Sequence, residues 1–568
     1  MIPKACASSL LFLVSTIWCA VPEGVAAQCL DADLLVRHAK IVTMDDADHV
    51  AEALAVRDGK ILGVGTEAEL AGCVSPRTKV LDLEGRTVLP GLIDVHAHAI
   101  EWAKSELQSE VEISYQSVHS IAEIAERVKR SAGTRKAGEW IRGAGWDQDK
   151  LAERRYITRG DLDRVAPNNP VYLGHRTGHL AAVNSMALRL AKITGATPDP
   201  PGGVIEHDAA GEPTGILKDN AMELVSKFFP ADPADLSVEA AKYVSEHALE
   251  EGLTTIHNIA VQPEEMRAYQ EARRRGWLKV RVQMVPLVSK LGDAERLAAS
   301  GLHTGFGDDR LKLGAVKMFA DGGMGARTIA IYPPELKGEK NPLGLLVWKT
   351  EEMQKAHLLL AGAGWQLVTH AIGDRAIDQV LDSYARVKKE LGLKDARFRI
   401  AHCGIATPAI QKRMREIGVI ADGNPAFIYW IGSYFATYGA ERTRWAYLAK
   451  SYIENGVIEA AGSDVDVTPL RPWWGIWAAV VRREAQTDKV LAPEERLTVR
   501  EALRLYTRNA AYDGFEEKQK GTLEAGKLAD FIVVDRDVLT VAADELKDVS
   551  VLKTFVGGEL VYEKSGRR

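Results

Sequence analysis

The chain is 568 residues long, 46% hydrophobic and 26% charged, with a formal charge of -6. That length exceeds one ordinary core, so two or three domains of a soluble globular kind are expected. So small a net charge provides neither the basic patch that nucleic acid requires nor a polybasic face for a membrane.

The first segment reads as an address. Met1 to Lys4 is short and positive, Leu10 to Val21 is an apolar core, and Val25-Ala26-Ala27 is a small-residue cleavage site. These are the three parts of a secretory signal, so residues 1–27 are set aside and export to a periplasm or the outside of a bacterial cell is expected. A membrane anchor is the weaker reading, because the apolar run is shorter than the roughly 20 residues a bilayer needs, and no membrane integration is expected of the mature form. Gln28 argues against lipidation of Cys29. In an oxidising compartment Cys29 and Cys73 are free to form a disulfide, which spacing alone does not establish. Cys403, in RFRIAHC, reads as an inert core thiol.

Residues 28–90 read as strands and turns, and residues 496–568 as a last helix followed by the same texture, with Gly557-Gly558 as a hairpin signal. Two β-rich ends around a long middle imply one small β-sandwich built from both termini. In the middle, residues 91–495, eight short apolar runs look like buried parallel strands: LIDVHAH, GLTTIHNI, KVRVQMVP, LKLGAVKMFA, WQLVTHA, RFRIAHC, GVIADGNP and GVIEAAGSD. Most are separated by helical stretches, such as 351–362 and 374–391, which predicts an α/β fold, a TIM (β/α)8 barrel. Residues 99–251 are too many for one crossover and must form an insert on the rim where substrate pockets are shaped.

The run VLPGLIDVHAH ends in two histidines one residue apart. In an extended strand His96 and His98 point the same way, as a metal-binding pair would. Two histidines that merely hydrogen-bond in a core are the plain alternative. The other strand ends decide between them: Lys317 closes the fourth run, His370 the fifth, His402 the sixth and Asp464 the eighth. Four imidazoles, a lysine and a carboxylate converge on the end of the barrel where active sites lie.

With PGLIDVHAH, GKLADFIVVD and GGELVY, the chain resembles the amidohydrolase superfamily of metal-dependent hydrolases. AGWDQDK, RTGHLAAVNSMAL, PDPPGGVIEHDAAGEPTGILKD and VKMFADGGMGART are similar to its branch called amidohydrolase family 3, which takes in formamide deformylases. The resemblance implies one or two divalent ions, zinc foremost, held by His96, His98, His370, His402 and Asp464. It implies also that Lys317 can take up carbon dioxide as a carbamate bridging both metals; an unmodified Lys317 paired with a carboxylate such as Asp321, beside a single metal, is the other reading. Asp464 would be both ligand and proton shuttle, because a metal lowers the pKa of water from 15.7 to about 7.

Trp146 and His179 look, by the same resemblance, like pocket wall or carbonyl-polarising groups, with core packing an equal reading for the tryptophan. Asp321, opening the glycine-rich Asp321-Gly322-Gly323-Met324-Gly325, is a further candidate for substrate contact, although a plain flexible loop reads as well. His257 fits a supporting position. Where the branch typically has a proline close behind the strand-eight aspartate, this chain reads Asp464-Val465-Asp466-Val467-Thr468-Pro469, which sets an extra carboxylate at the pocket mouth. The expected activity is hydrolysis of a non-peptide carbon–nitrogen bond in a small molecule, a linear amide, N-formyl or N-acyl compound. Cyclic amides, carbamates and small peptide-like compounds are the alternative within enzymes, and a catalytically inactive binding member of the fold is the alternative outside them. Exposed apolar positions on the sandwich are compatible with a homodimer.

Overall fold

A strand buried on both faces reads as a near-continuous apolar run rather than an alternating one. Leu92–Ala97 is such a strand, and every residue in it is buried. The computed structural model describes residues 30–108, 111–233 and 235–565, so the proposed signal at 1–27 and Cys29 lie outside the described residues. Cys73 is buried and disulfide-bonded. No helix among the described residues is long and apolar enough to cross a membrane.

Parallel pairing runs outward from the first strand. Leu253–Val261 pairs with Leu92–Ala97 on one side and with Arg281–Pro286 on the other. The fourth run is broken in two: Leu311–Leu313 pairs with the third strand, and Val316–Phe319 pairs with Leu367–Ala371. Arg399–His402, Ile420–Gly423 and Glu459–Ala461 follow in parallel register. The eighth returns to the first where the Asp464 N–H donates to the His96 carbonyl at 2.7 Å. This is a mixed α/β fold on parallel sheets, of the TIM-barrel type.

The connecting helices show why their sequences are amphipathic. Asp374–Glu390 buries Ile377, Val380, Leu381, Tyr384 and Val387 along one stripe, opens on Asp374 and closes on Lys388 and Lys389, in the sense its dipole favours. Pro408–Ile417 starts from a Thr407 side chain that accepts the Ile410 N–H, with proline in the first turn.

Two further sheets lie outside the barrel, and the larger draws on both ends of the chain. A four-stranded sheet runs in the order 60–65, 53–57, 34–37, 79–82, and a six-stranded sheet in the order 559–563, 551–556, 531–534, 87–90, 40–42, 50–51. Val36, Val56, Val88 and Phe531 share one core there, and the Phe531 and Phe555 rings stack at 4.3 Å. Between the first and second parallel strands lies a six-stranded sheet of residues 111–112, 141–146, 171–175, 180–183, 203–207 and 213–219, with a core including Ile124, Ile141, Trp146 and Leu173.

Candidate metal centre and active site

His96 stands at the end of the first strand, and His98 caps the helix Ala99–Leu107 that follows. Their Nε2 atoms each lie 3.4 Å from Oδ1 of Asp464, and donor atoms of all three fall within 4.8 Å of one another. Asp464 adopts φ +54, a left-handed backbone that L-residues seldom take and that persists only where surroundings enforce it. Asp94 braces the adjoining backbone: its Oδ1 accepts the His96 N–H at 2.9 Å, and both its oxygens accept the Ser463 N–H.

The remaining imidazoles continue from this cluster. His402 lies 4.7 Å from His96 and 4.6 Å from His370, ring centre to ring centre. Asn424 donates through Nδ2 to the Gly462 carbonyl, so its Oδ1 is the acceptor for His402 Nδ1–H at 2.8 Å, and the lone pair of His402 is left on Nε2. His370 donates from Nε2 to the Gly322 carbonyl at 3.1 Å, leaving Nδ1 with the lone pair; that buried nitrogen has no hydrogen-bond partner among the described residues. His96 Nδ1 is orphaned in the same way. Burial drives all four imidazoles toward the neutral form, His98 to about 3 and His96, His370 and His402 well below their ordinary range. Neutral imidazoles with idle buried nitrogens are the donor set a divalent cation takes.

Lys317 is wholly buried, with Nζ 3.3 Å from His96 Nε2 and 4.7 Å from the centre of the Phe319 ring. Burial pulls its ammonium well below the ordinary lysine range, against the opposing pull of Asp464 and Asp422. The pairing of Lys317 with Asp321 does not form. Asp321 accepts instead from the backbone N–H groups of Ala330, Ile372 and Gly373, sits 3.4 Å from His370 Nε2, and is pushed up to about 7 by burial.

A small cavity of about 20 Å³ adjoins His370, His402 and Asp464, walled by apolar side chains such as Met324, Ile372, Phe427 and Tyr447, and lined also by His179. On the other side of the strand-eight loop a groove of about 610 Å³ passes Trp102, Tyr115, Trp474, Arg176, Glu250 and Asp466. Trp146 is fully buried in the core of the inserted sheet and donates its indole N–H to the Leu173 carbonyl. His257 lies deeper in the barrel, 3.5 Å from Asp513 and 3.4 Å from Arg399. Cys403 is a buried thiol pushed up to about 12 by burial, which leaves it unreactive.

Asp94 and Asn424 went unread from the sequence. A signal for Asp94 existed, since in LIDVHAH it falls two residues before His96 and so on the same strand face. Asn424 had none, because its role depends on Gly462 and His402, which only the fold brings to it.

The model for the amidohydrolase family matches residues 79–562. Over 94% of this chain and 99% of its own length, N-substituted formamide deformylase of Arthrobacter pascens is 32% identical. Protein LONG AFTER FAR-RED 3 of Arabidopsis thaliana is 33% identical over 95% of this chain and 92% of its own. The crystal structure of an uncharacterized metal-dependent hydrolase from Pyrococcus horikoshii superposes with a TM-score of 0.70 at 26% identity, covering 90% of this chain and 99% of that one. Fold and site together are those of a metal-dependent hydrolase. The chain belongs to the amidohydrolase family.

Proposed function

We propose that this protein hydrolyses a non-peptide carbon–nitrogen bond, in a linear amide of the N-formyl or N-acyl kind. The observation that carries the reading is the convergence of His96, His98 and Asp464 beside His370, His402 and a small apolar cavity. The relative from Arthrobacter pascens, named for deformylating N-substituted formamides, supports that choice of bond.

The donor set fits a metal: Nε2 atoms of His96 and His98 turned toward Asp464, an orphaned buried Nδ1 on His370, and a His402 whose Asn424 contact leaves Nε2 bare. His96, His98 and Asp464 would hold one divalent ion, His370 and His402 a second, and nitrogen and oxygen donors of this kind suit zinc. Such an ion supplies Lewis acidity, polarising a carbonyl and making water acidic enough to attack near neutrality. Asp464, at the cavity wall, takes the proton of the attacking water and later delivers it to the departing amine nitrogen. His179, at the cavity edge, faces the carbonyl oxygen of the substrate. The buried amine of Lys317, its charged form disfavoured by burial, offers the lone pair needed to add to carbon dioxide, forming a nitrogen–carbon bond and releasing one proton to give a carbamate.

Metal analysis of the wild-type protein beside Lys317→Ala and His96→Ala/His98→Ala tests the site. About two ions per chain, falling sharply in both variants, is the expected result; a single ion indifferent to Lys317 would refute the carbamate, and none under any loading would refute the enzyme reading. Release of amine from N-formyl and N-acyl arylamines tests the reaction. We propose also that residues 1–27 direct export: the mature chain should begin near Gln28, and a secreted or periplasmic protein still starting at Met1 would exclude this.

A further inference from the structure

Three stretches far apart in sequence meet at one pair of side chains. His179, from RTGH, immediately precedes the strand Leu180–Val183, and Asp219 ends the antiparallel strand Pro213–Asp219. The Asp219 N–H donates to the His179 carbonyl at 2.9 Å, and His179 Nδ1 donates to Asp219 Oδ1 at 2.7 Å. One hydrogen bond fixes the two backbones and the other fixes the ring. Because Nδ1 is engaged, Nε2 is the nitrogen left for the cavity that His179 shares with His370, His402 and Asp464. The His179 and His370 ring centres are 5.2 Å apart.

The third stretch is the glycine-rich loop after the fourth strand. A Cβ on Gly323 would lie 2.6 Å from Cγ and Cδ2 of His179, and a Cβ on Gly322 would lie 2.7 Å from Oδ2 of Asp219 and 2.0 Å from Thr328 Oγ1. The two glycines therefore form a flat wall against which the pair is pressed, the His179 ring on one and the Asp219 carboxylate on the other. Asp219 itself holds φ +48, a left-handed conformation for an L-residue. Backbone strain of this sort is retained where neighbouring contacts over-determine it, and such places cluster at functional sites. Asp219 Oδ2 is buried with no hydrogen-bond partner among the described residues, so the histidine is the one side chain that this carboxylate serves by hydrogen bonding.

We propose that Asp219 is a positioning residue for the hydrolysis, holding the His179 ring so that Nε2 meets the scissile carbonyl, with Gly322 and Gly323 as the wall that permits only this arrangement. The proposal rests on the reading of the site as an amide hydrolase and adds to it a residue from the insert that touches neither metal ligands nor substrate. Asparagine at 219 can still accept from Nδ1 and should preserve much of the effect, whereas alanine should not.

The test uses the metal-loaded full chain and an N-formyl arylamine, with metal content measured on every variant. His179→Ala should lower kcat/KM on the order of a hundredfold, as loss of one preorganised donor to a developing oxyanion does. Asp219→Ala should lower it by about ten- to a hundredfold, the range for a group that orients another, with metal content unchanged. His179→Ala/Asp219→Ala should be no worse than His179→Ala alone, and Asp219→Asn should recover much of the loss. Gly323→Ala, which presses on the ring from the opposite side, should reproduce the defect if Asp219→Ala fails to fold. Undiminished activity in Asp219→Ala, single losses that multiply in the double variant, or metal loss in Asp219→Ala would each overturn the proposal. Should the metal-loaded wild type release no amine from any amide, the reaction reading fails; the positioning claim is then decided by crystal structures of Asp219→Ala and Gly323→Ala. A rotated His179 ring supports it, and an unmoved ring overturns it.

Discussion

Asp94 holds the backbone N–H of Ser463 with both carboxylate oxygens, at 3.1 and 3.0 Å, across the seam between the first and eighth parallel strands. Its Oδ1 also accepts the His96 N–H, so one buried carboxylate sets the relative height of His96 and of Asp464, the next residue after Ser463. Burial pushes the Asp94 carboxyl up to about 6, against the hydrogen bonds from Ser463 and His96 that favour its charged form.

Asp94→Ala should therefore weaken two properties together. Leaving two buried N–H groups unpaired costs about 2–6 kcal/mol at 1–3 kcal/mol for each orphaned group, and the relative placement of His96 and Asp464 is lost with them. The thermal midpoint should fall and metal content should drop in the same variant, while Asp94→Asn, which keeps one acceptor, should lie between. A melting curve and metal stoichiometry both like wild type would show that the seam holds without the clasp.

Asn424 makes a separate prediction. It joins His402 to the Gly462 carbonyl and selects the imidazole nitrogen that faces the site. Removing such an orienting group weakens metal binding by about ten- to a hundredfold. Asn424→Ala should lose metal to a competing chelator at correspondingly lower chelator concentration, and excess metal should restore activity. A chelator titration superimposable on that of the wild type would exclude this role.

Much of this centre could be read from local pattern. His96, His370, His402 and Asp464 each end an apolar run, and an apolar run ending in a ligand states both where a strand lies and which end of it is open. The helix Asp374–Glu390 was legible for the same reason, since its stripe and charged ends are periodic in sequence. Asn424 and Asp219 carry no such signature. Each acts through one or two contacts to residues remote in the chain, and a lone aspartate or asparagine in a strand or turn gives no period to detect. Trp146 shows the converse: a large aromatic in an arresting motif is equally suited to a core, and its indole N–H is spent on the Leu173 carbonyl.

Arg176 reaches from the insert to the strand-eight loop. It donates to the Val467 carbonyl at 2.5 Å and the Trp430 carbonyl at 3.2 Å, and its guanidinium lies 4.1 Å from the Tyr115 ring centre. Val467 lines the cavity beside Asp464. Arg176→Ala should raise KM with metal content intact, lowering kcat/KM by about tenfold or more, since displacing a pocket wall by 1 Å can lower rates by about a hundredfold. Arg176→Lys should not rescue it, because a single ammonium lacks the planar fork that spans two carbonyls. Steady-state kinetics on a substrate the wild type turns over decide the matter; a lysine variant with wild-type KM would refute the bridging role.

A further buried charge cluster, around Glu516, makes a prediction about acid stability. Glu516 is almost fully buried; it accepts from Lys312, from Lys520 at 2.9 Å and from Gln283 at 2.8 Å. Burial alone would raise its pKa, but Lys520 and Lys312 outweigh it and hold the carboxyl at about 2, below the ordinary 4.5. The folded pKa lies below the unfolded one, so the unfolded chain binds the extra proton between those values. The contribution is complete above pH 4.5 and is lost as pH falls toward 2, amounting to about 3 kcal/mol at 1.36 kcal/mol per unit. Glu516→Gln should be less stable at neutral pH, because two buried ammonium groups lose their counter-charge, and its stability should vary less with pH across the acid range. Denaturant midpoints measured from neutrality down to the acid limb give the comparison: parallel curves for wild type and variant would mean that Glu516 is not the group that titrates.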